Sequence, residues 1–317
     1  MAIDVDSLVE RAVAGDARAV ARLLSLVEDA SPQAAEVAAA LMPHTGRAQV
    51  VGITGSPGVG KSTITSAIVA SFRARGQRVG VLAIDPSSPF SGGALLGDRI
   101  RMQEHATDPD VFIRSMASRG HLGGLAWATP QALRVLDAAG CDVVLVETVG
   151  VGQSEIEVIA VADSVIVLLA PGMGDGIQAA KAGILEIGDL FVVNKADRDG
   201  AESTAREIRH MISLGQRVEG GWPPPVLLTV ASRSEGVDGV IEALDRHREW
   251  AVGSGAWLTR RHQRAADEIE AIALTRVRQR FERASGDNGL DGLADAVASG
   301  TLDPFAAADR LLGESRP

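Results

Sequence analysis

The run Gly55-Ser56-Pro57-Gly58-Val59-Gly60-Lys61-Ser62 sets glycines, a lysine and a hydroxyl at the spacing G-x-x-x-x-G-K-[ST]. Glycines let a backbone curl so that its N–H groups face inward, and a helix starting at the lysine adds positive potential, which together cradle phosphate oxygens. The expected roles follow: Gly55 to Thr63 wrap the phosphates, Lys61 reaches the β and γ oxygens, and the Ser62 hydroxyl ligates magnesium.

A magnesium ion prefers hard oxygen ligands in an octahedron, so carboxylates at neighbouring strand ends are the next requirement. The apolar run after Cys141 ends in Glu147-Thr148-Val149-Gly150. In P-loop enzymes that strand carries an aspartate on the metal. Here it is a glutamate, whose extra methylene can reach the metal or a metal-bound water. Gly150 would offer its N–H to the γ-phosphate and let the following loop reorganise when that phosphate leaves. Asp85 and Asp98 are further candidates, as direct or water-mediated ligands. Otherwise Asp85 caps a strand end and Asp98 pairs with Arg99 or Arg101.

Asn194-Lys195-Ala196-Asp197 has the form N-K-x-D and follows another apolar run. A carboxylate at its fourth position can accept from both N1–H and the exocyclic amine of guanine, whereas adenine presents an acceptor at N1. The expected ligand is therefore GTP or GDP rather than ATP. The slim stem of Lys195 can lie over the base, and Asn194 can bridge the base edge and the glycine-rich loop. Ala231 and Ser232, just past Thr229, are placed where a backbone N–H meets the guanine oxygen.

These residues must be positioned by strands and helices, and the apolar runs supply them. Short runs at 49–54, 78–84, 111–115, 142–147, 164–170, 189–193 and 226–231 alternate with helix-sized stretches, the signature of βαβ units. The predicted fold is α/β: a P-loop NTPase three-layer sandwich with a mostly parallel sheet. Helical periodicity from Leu8 to Val27 and from Ala34 to Met42 predicts an N-terminal helical cap over 1–45, preceding a nucleotide domain over 46–252. Trp257 to Phe281 reads as one long helix with Leu258, Ile269, Ile272 and Val277 along a stripe. With the tail around Asp303-Pro304-Phe305 it forms a helical extension over 253–317, expected to pack on its own sheet or pair with a second copy.

The 317 residues carry a formal net charge of -10, which gives no general attraction to polyanions, so nucleic acid is an unexpected partner. One cysteine allows neither an internal disulfide nor a multi-cysteine metal site, and fits a cytoplasmic protein. No leader and no apolar window of membrane-spanning length is present, so no membrane contact is expected. Of 31 basic residues only Lys61, Lys181 and Lys195 are lysines. A compact ammonium should survive where a guanidinium fork cannot replace it.

The P-loop, Glu147-Thr148-Val149-Gly150-Val151-Gly152-Gln153-Ser154-Glu155, Asn194-Lys195-Ala196-Asp197 and Asp303-Pro304-Phe305 together resemble the MeaB/ArgK GTPases, as do Asp85-Pro86-Ser87-Ser88-Pro89-Phe90 and Arg119-Gly120-His121-Leu122-Gly123-Gly124. The likeness spans essentially the whole chain. It implies a homodimeric GTPase of the SIMIBI class that protects an adenosylcobalamin-dependent acyl-CoA mutase and gates cofactor loading. Methylmalonyl-CoA mutase is the first expected client and an isobutyryl-CoA enzyme the second. The resemblance also implies that Ser62, Asp85, Asp98 and Glu147 match magnesium-site positions and that Lys181 falls in a third mobile segment, about Gly172 to Lys181. Ala231-Ser232 departs from the Ser-Ala order usual among GTPases.

In Ras-type switches the water-orienting glutamine directly follows the switch glycine, but here Val151 follows Gly150 and Gln153 comes later. Slow intrinsic hydrolysis stimulated by a partner is expected, with either Gln153 or a partner residue placing the water. His121 either packs its loop or transmits between switch and partner. A nickel-type metallochaperone would want clustered Cys or His. A transport-system kinase of protein-kinase type would need an H-R-D-x-x-x-x-N loop and a D-F-G segment, which are missing. A fused mutase would carry Asp-x-His-x-x-Gly, and the nearest stretch, Asp245-Arg246-His247, ends in Trp250.

Overall fold

The computed structural model describes residues 3–29, 31–86, 102–118, 128–148, 160–172, 187–214, 220–283 and 289–313. Seven strands, β1 Gln49–Thr54, β2 Val79–Pro86, β3 Val111–Ser118, β4 Val143–Thr148, β5 Ser164–Leu169, β6 Leu190–Val193 and β7 Val226–Leu228, form one sheet. Its order is β3-β2-β4-β1-β5-β6-β7 and every pairing is parallel. Every residue of β1, β4, β5 and β6 is buried, which is why these segments read as continuous apolar runs instead of alternating ones. From β1 the chain builds outward to β3, returns to insert β4 beside β1, then crosses to β5. The carboxyl end of β1 therefore lies at the switch point where ligands of open α/β sheets bind.

On one face, α4 Lys61–Ala74 and α7 Val237–Ser254 bury Ile64, Ile68, Val240 and Leu244 against Val51, Ile53, Leu145 and Ile166. On the other, α5 Ala128–Ala138 and the N-terminal helices α1 Val5–Val13, α2 Ala17–Glu28 and α3 Ala34–Leu41 share a core with Val50, Val144 and Val146. The single helical stretch read from Leu8 to Val27 is in fact two helices. Gly15 takes φ +87° and the Asp16 carboxylate accepts from the N–H groups of Arg18 and Ala19, ending one helix and capping the next. Helix α6 Ala201–Leu214 packs beside β7. Cys141 is buried, and burial pushes its thiol up to about 12, so it behaves as an inert core residue.

The chain divides into two compact units, Met1–Arg261 and His262–Pro317. The long helix α8 Ala256–Arg283 begins in the first and continues in the second, where α9 Leu290–Ala298 packs against α10 Pro304–Leu312. The Asp303 side chain caps α10 by accepting from Phe305 and Ala306. Within the stripe of α8, Ile269 is 68% exposed and Val277 39% exposed.

At the amino edge of the sheet, Asp189 accepts the N–H of Val165 at 2.9 Å and receives both ends of the Arg260 guanidinium at 2.7 Å, with His247 Nε2 3.2 Å away. Burial pushes the Asp189 carboxyl up, but Arg260 and His247 more than offset this and hold it below the usual carboxylate range. A depressed folded-state pKa contributes stability that is present above the unfolded value of about 3.9 and lost as pH falls through the folded one. Arg260→Ala is expected to cost on the order of 1–3 kcal/mol at pH 7 because it strands a buried carboxylate. Urea unfolding at pH 7 and at lower pH checks this: the gap between wild type and variant should close as Asp189 protonates, below about pH 4. An unchanged gap would show that Asp189 is not the group responsible.

Candidate nucleotide site

The loop between β1 and α4 begins at Gly55 with φ +145° and ends at Gly60 with φ +98°, the left-handed residue that precedes the first turn of α4. A Cβ on Gly55 would lie 2.3 Å from the carbonyl oxygen of Leu168, and one on Gly60 would lie 2.6 Å from Asn194 Nδ2. Both glycines are therefore required by close approach, of backbone at Gly55 and of the Asn194 side chain at Gly60, as well as by dihedral angle. Gly58, at φ +80°, has open space where its side chain would be. The loop tip, with Ser56, Pro57 and Val59, thus turns through positions that favour glycine while β1 and α4 hold its ends.

Lys61 is buried, and its ammonium donates to the carbonyls of Gly55 and Ser56, spanning the loop from inside. Ser62 follows in the first turn of α4, and its hydroxyl donates to Glu147 Oε1 at 2.8 Å. Glu147 is buried and stands opposite Ile53 in the β1–β4 register, so adjacent strand ends deliver the loop and the acid to one place. The donor set fits magnesium: neighbouring ligands of an octahedron at about 2.0–2.1 Å stand ~2.9 Å apart, close to the separation of these two oxygens. The backbone of Asp85 lies at the end of β2, one residue past the pairing of Ile84 with Thr148. Its side chain, and Asp98, Gly150, Gln153, His121 and Lys181, lie outside the described residues. Among the described residues no group of three or more His, Cys, Asp or Glu could hold a metal.

The second half of the site is a cleft of about 160 Å³, bounded by Gly60 and Thr63 of the loop and helix and by Asn194, Lys195, Asp197, Val230, Ala231 and Ser232. Asn194 is its buried keystone. Its Nδ2 donates to the Val59 carbonyl at 2.9 Å, while Oδ1 accepts from Thr229 Oγ1 at 3.2 Å and from the Ala231 N–H at 3.0 Å. One side chain thereby ties the glycine-rich loop to the turn after β7. Lys195 adopts φ +58° and its ammonium donates to the Gly58 carbonyl, so its stem lies across the mouth of the loop. The Asp197 carboxylate is 47% exposed, with Arg233 at 3.8 Å. The structure thus brings together every described residue that the two motifs single out. Sequence reasoning missed Arg233, and it named Thr229 in the base-contacting segment without its hydroxyl's bond to Asn194. It anticipated the bridge of Asn194 to the loop but not its anchoring of the Ala231 amide.

A family model described as "Methylmalonyl Co-A mutase-associated GTPase MeaB" matches residues 20–286. The chain belongs to this family of GTPases. A relative from Pyrococcus abyssi, named as a GTPase, is 47% identical over 98% of this chain and 96% of its own length. The mouse protein named methylmalonic aciduria type A homolog, mitochondrial, is 33% identical over 97% of this chain and 79% of its own length. Among solved structures, a LAO/AO transport system kinase superposes with a TM-score of 0.71 at 27% identity, covering 99% of this chain and 98% of its own. As a MeaB-family member the chain is an enzyme that hydrolyses GTP, on a fold shared with the transport system kinase over almost the whole of both chains.

Proposed function

We propose that this GTPase serves an adenosylcobalamin-dependent acyl-CoA mutase, first of all methylmalonyl-CoA mutase, by protecting it and gating its cofactor loading. What carries the reading is the family match, whose description names association with that mutase, over residues 20–286. The mouse relative's name refers to methylmalonic aciduria. The corrinoid and acyl-CoA would sit on the partner chain.

In this reading the phosphates take the place of the Gly55 and Ser56 carbonyls as acceptors for Lys61, and Ser62 with Glu147, Asp85 and Asp98 hold magnesium. The ion would neutralise charge developing on the β and γ oxygens. Water attacks the γ-phosphorus as the bond to the β-phosphate oxygen breaks, giving GDP and phosphate. Gly150 steadies the γ-phosphate, and Gln153 or a partner residue orients the water. The base lies in the cleft against Lys195, with Asp197 reading its N1–H and amine and the Ala231-Ser232 turn facing its oxygen. The helical extension, with Ile269 and Val277 exposed, would pair two copies. No helix among the described residues is long and apolar enough to cross a membrane; the cytoplasm is the compartment we propose, in keeping with the single cysteine.

Co-purification of GTP-loaded and GDP-loaded protein from its own cells tests the proposal. A cobalamin-dependent mutase should be recovered with two copies of this chain, and should accelerate GTP turnover. Recovery of no such mutase in either nucleotide state would end the mutase assignment and leave the GTPase. A membrane-transport component recovered instead would favour the kinship with the transport system kinase.

A further inference from the structure

Thr54, Thr129 and Thr148 are fully buried, and their hydroxyls have no hydrogen-bond partner among the described residues. An orphaned hydroxyl is costly in a protein core, and valine fills the same space without that cost. The topology sets Thr54 and Thr148 side by side and turns the helix that carries Thr129 toward the same edge. Thr54 follows Ile53 and Thr148 follows Glu147, and those two predecessors are paired in the β1–β4 register, so the threonines are neighbours at the carboxyl ends of adjacent strands. Ile53 packs toward α4, so by strand alternation Thr54 and Thr148 point to the opposite face, with Val50, Val144 and Val146. Helix α5 covers that face and ends at Ala138, just before β4 begins, so its first turn with Thr129 returns to the same carboxyl edge. Ala128 and Ala132, flanking Thr129 on the helix, belong to the same apolar cluster.

We propose that these three hydroxyls hold one buried water behind the nucleotide site, and that this water fixes the spacing between the P-loop and Glu147. A buried water makes about three hydrogen bonds, and each threonine hydroxyl can both donate and accept, so the set is complementary to it. Its place gives it a role. Thr54 adjoins Gly55, whose carbonyl holds Lys61, and Thr148 adjoins Glu147, which holds Ser62. The three are positioning residues, and that part of the inference rests on the reading of Lys61 and Glu147 as phosphate and metal groups.

The test is a double-variant cycle on the full chain with Thr54→Val, Thr148→Val and both together, reading Tm without nucleotide and kcat and KM for GTP. Each single variant should lower Tm, and the pair should cost little more than one, because the first change already releases the water. Turnover should fall about tenfold in kcat, the equivalent of one lost hydrogen bond in the transition state, with KM nearly constant. Thr148→Ser should restore both and covers the case in which the valine variant folds poorly. A raised Tm, or losses that simply add, would overturn the water site. Coupled losses in Tm with wild-type kcat would overturn the positioning role alone, whatever the roles of Lys61 and Glu147.

Discussion

Lys61→Ala protein is expected to turn over GTP roughly 10²–10³-fold more slowly than wild type, the usual cost of deleting one preorganised donor at developing charge. Lys61 is 8% exposed and its ammonium is already aimed into the loop by the Gly55 and Ser56 carbonyls, so little reorganisation is needed when phosphate oxygens replace them. Arginine should not rescue the rate. Its planar fork is wider than an ammonium, and the site presents two convergent carbonyls, from Gly55 and Ser56, to one compact charge. Single-turnover hydrolysis of GTP, with thermal unfolding to confirm that the variant folds, makes the measurement. Turnover near the wild-type rate would remove Lys61 from the chemistry.

Asp197→Asn is expected to exchange guanine for xanthine. A carboxylate accepts two hydrogen bonds from the guanine edge. An asparagine accepts from N1–H but presents its amide N–H to the exocyclic amine, where both partners are donors; xanthine has a carbonyl there. A matched bidentate contact discriminates by about 1–3 kcal/mol, or roughly 5- to 150-fold, so GTP should weaken and xanthosine triphosphate strengthen by factors in that range. Arg233 at 3.8 Å changes this little, because both side chains are half exposed and such pairs contribute little. Competition titrations against a fluorescent GDP analogue give both affinities. GTP affinity equal to wild type would sink the base-reading role.

All seven strands were legible as short apolar runs, and β1, β4, β5 and β6, buried along their whole length, needed no alternation to be found. Their ends were less so. The last strand stops at Leu228, not Ala231: the Thr229 N–H still donates to Val193, but the Thr229 hydroxyl and the Ala231 N–H both turn to Asn194, a tertiary hydrogen-bond demand that no local pattern carries. Strand order was equally hidden: nothing in the run at 142–147 says that it inserts between β1 and β2, yet that insertion brings Glu147 to Ser62. The break at Gly15-Asp16 was present in the residues themselves as a left-handed glycine followed by a capping aspartate. It was masked by apolar spacing that stays in phase on both sides. The motif residues were the most legible part of the site, since phosphate and guanine dictate residue types directly. Arg233 and the buried threonines answer only to neighbours that the fold supplies.

The ammonium groups of Lys61 and Lys195 both end on P-loop carbonyls, in a chain with three lysines. Selective ¹⁵N labelling of lysine would therefore reduce the side-chain NMR spectrum to three ammonium signals, two of them inside the nucleotide cleft. Exchange of GTP for GDP, arrival of a partner or loss of magnesium could then be followed in real time by resonances that need almost no assignment.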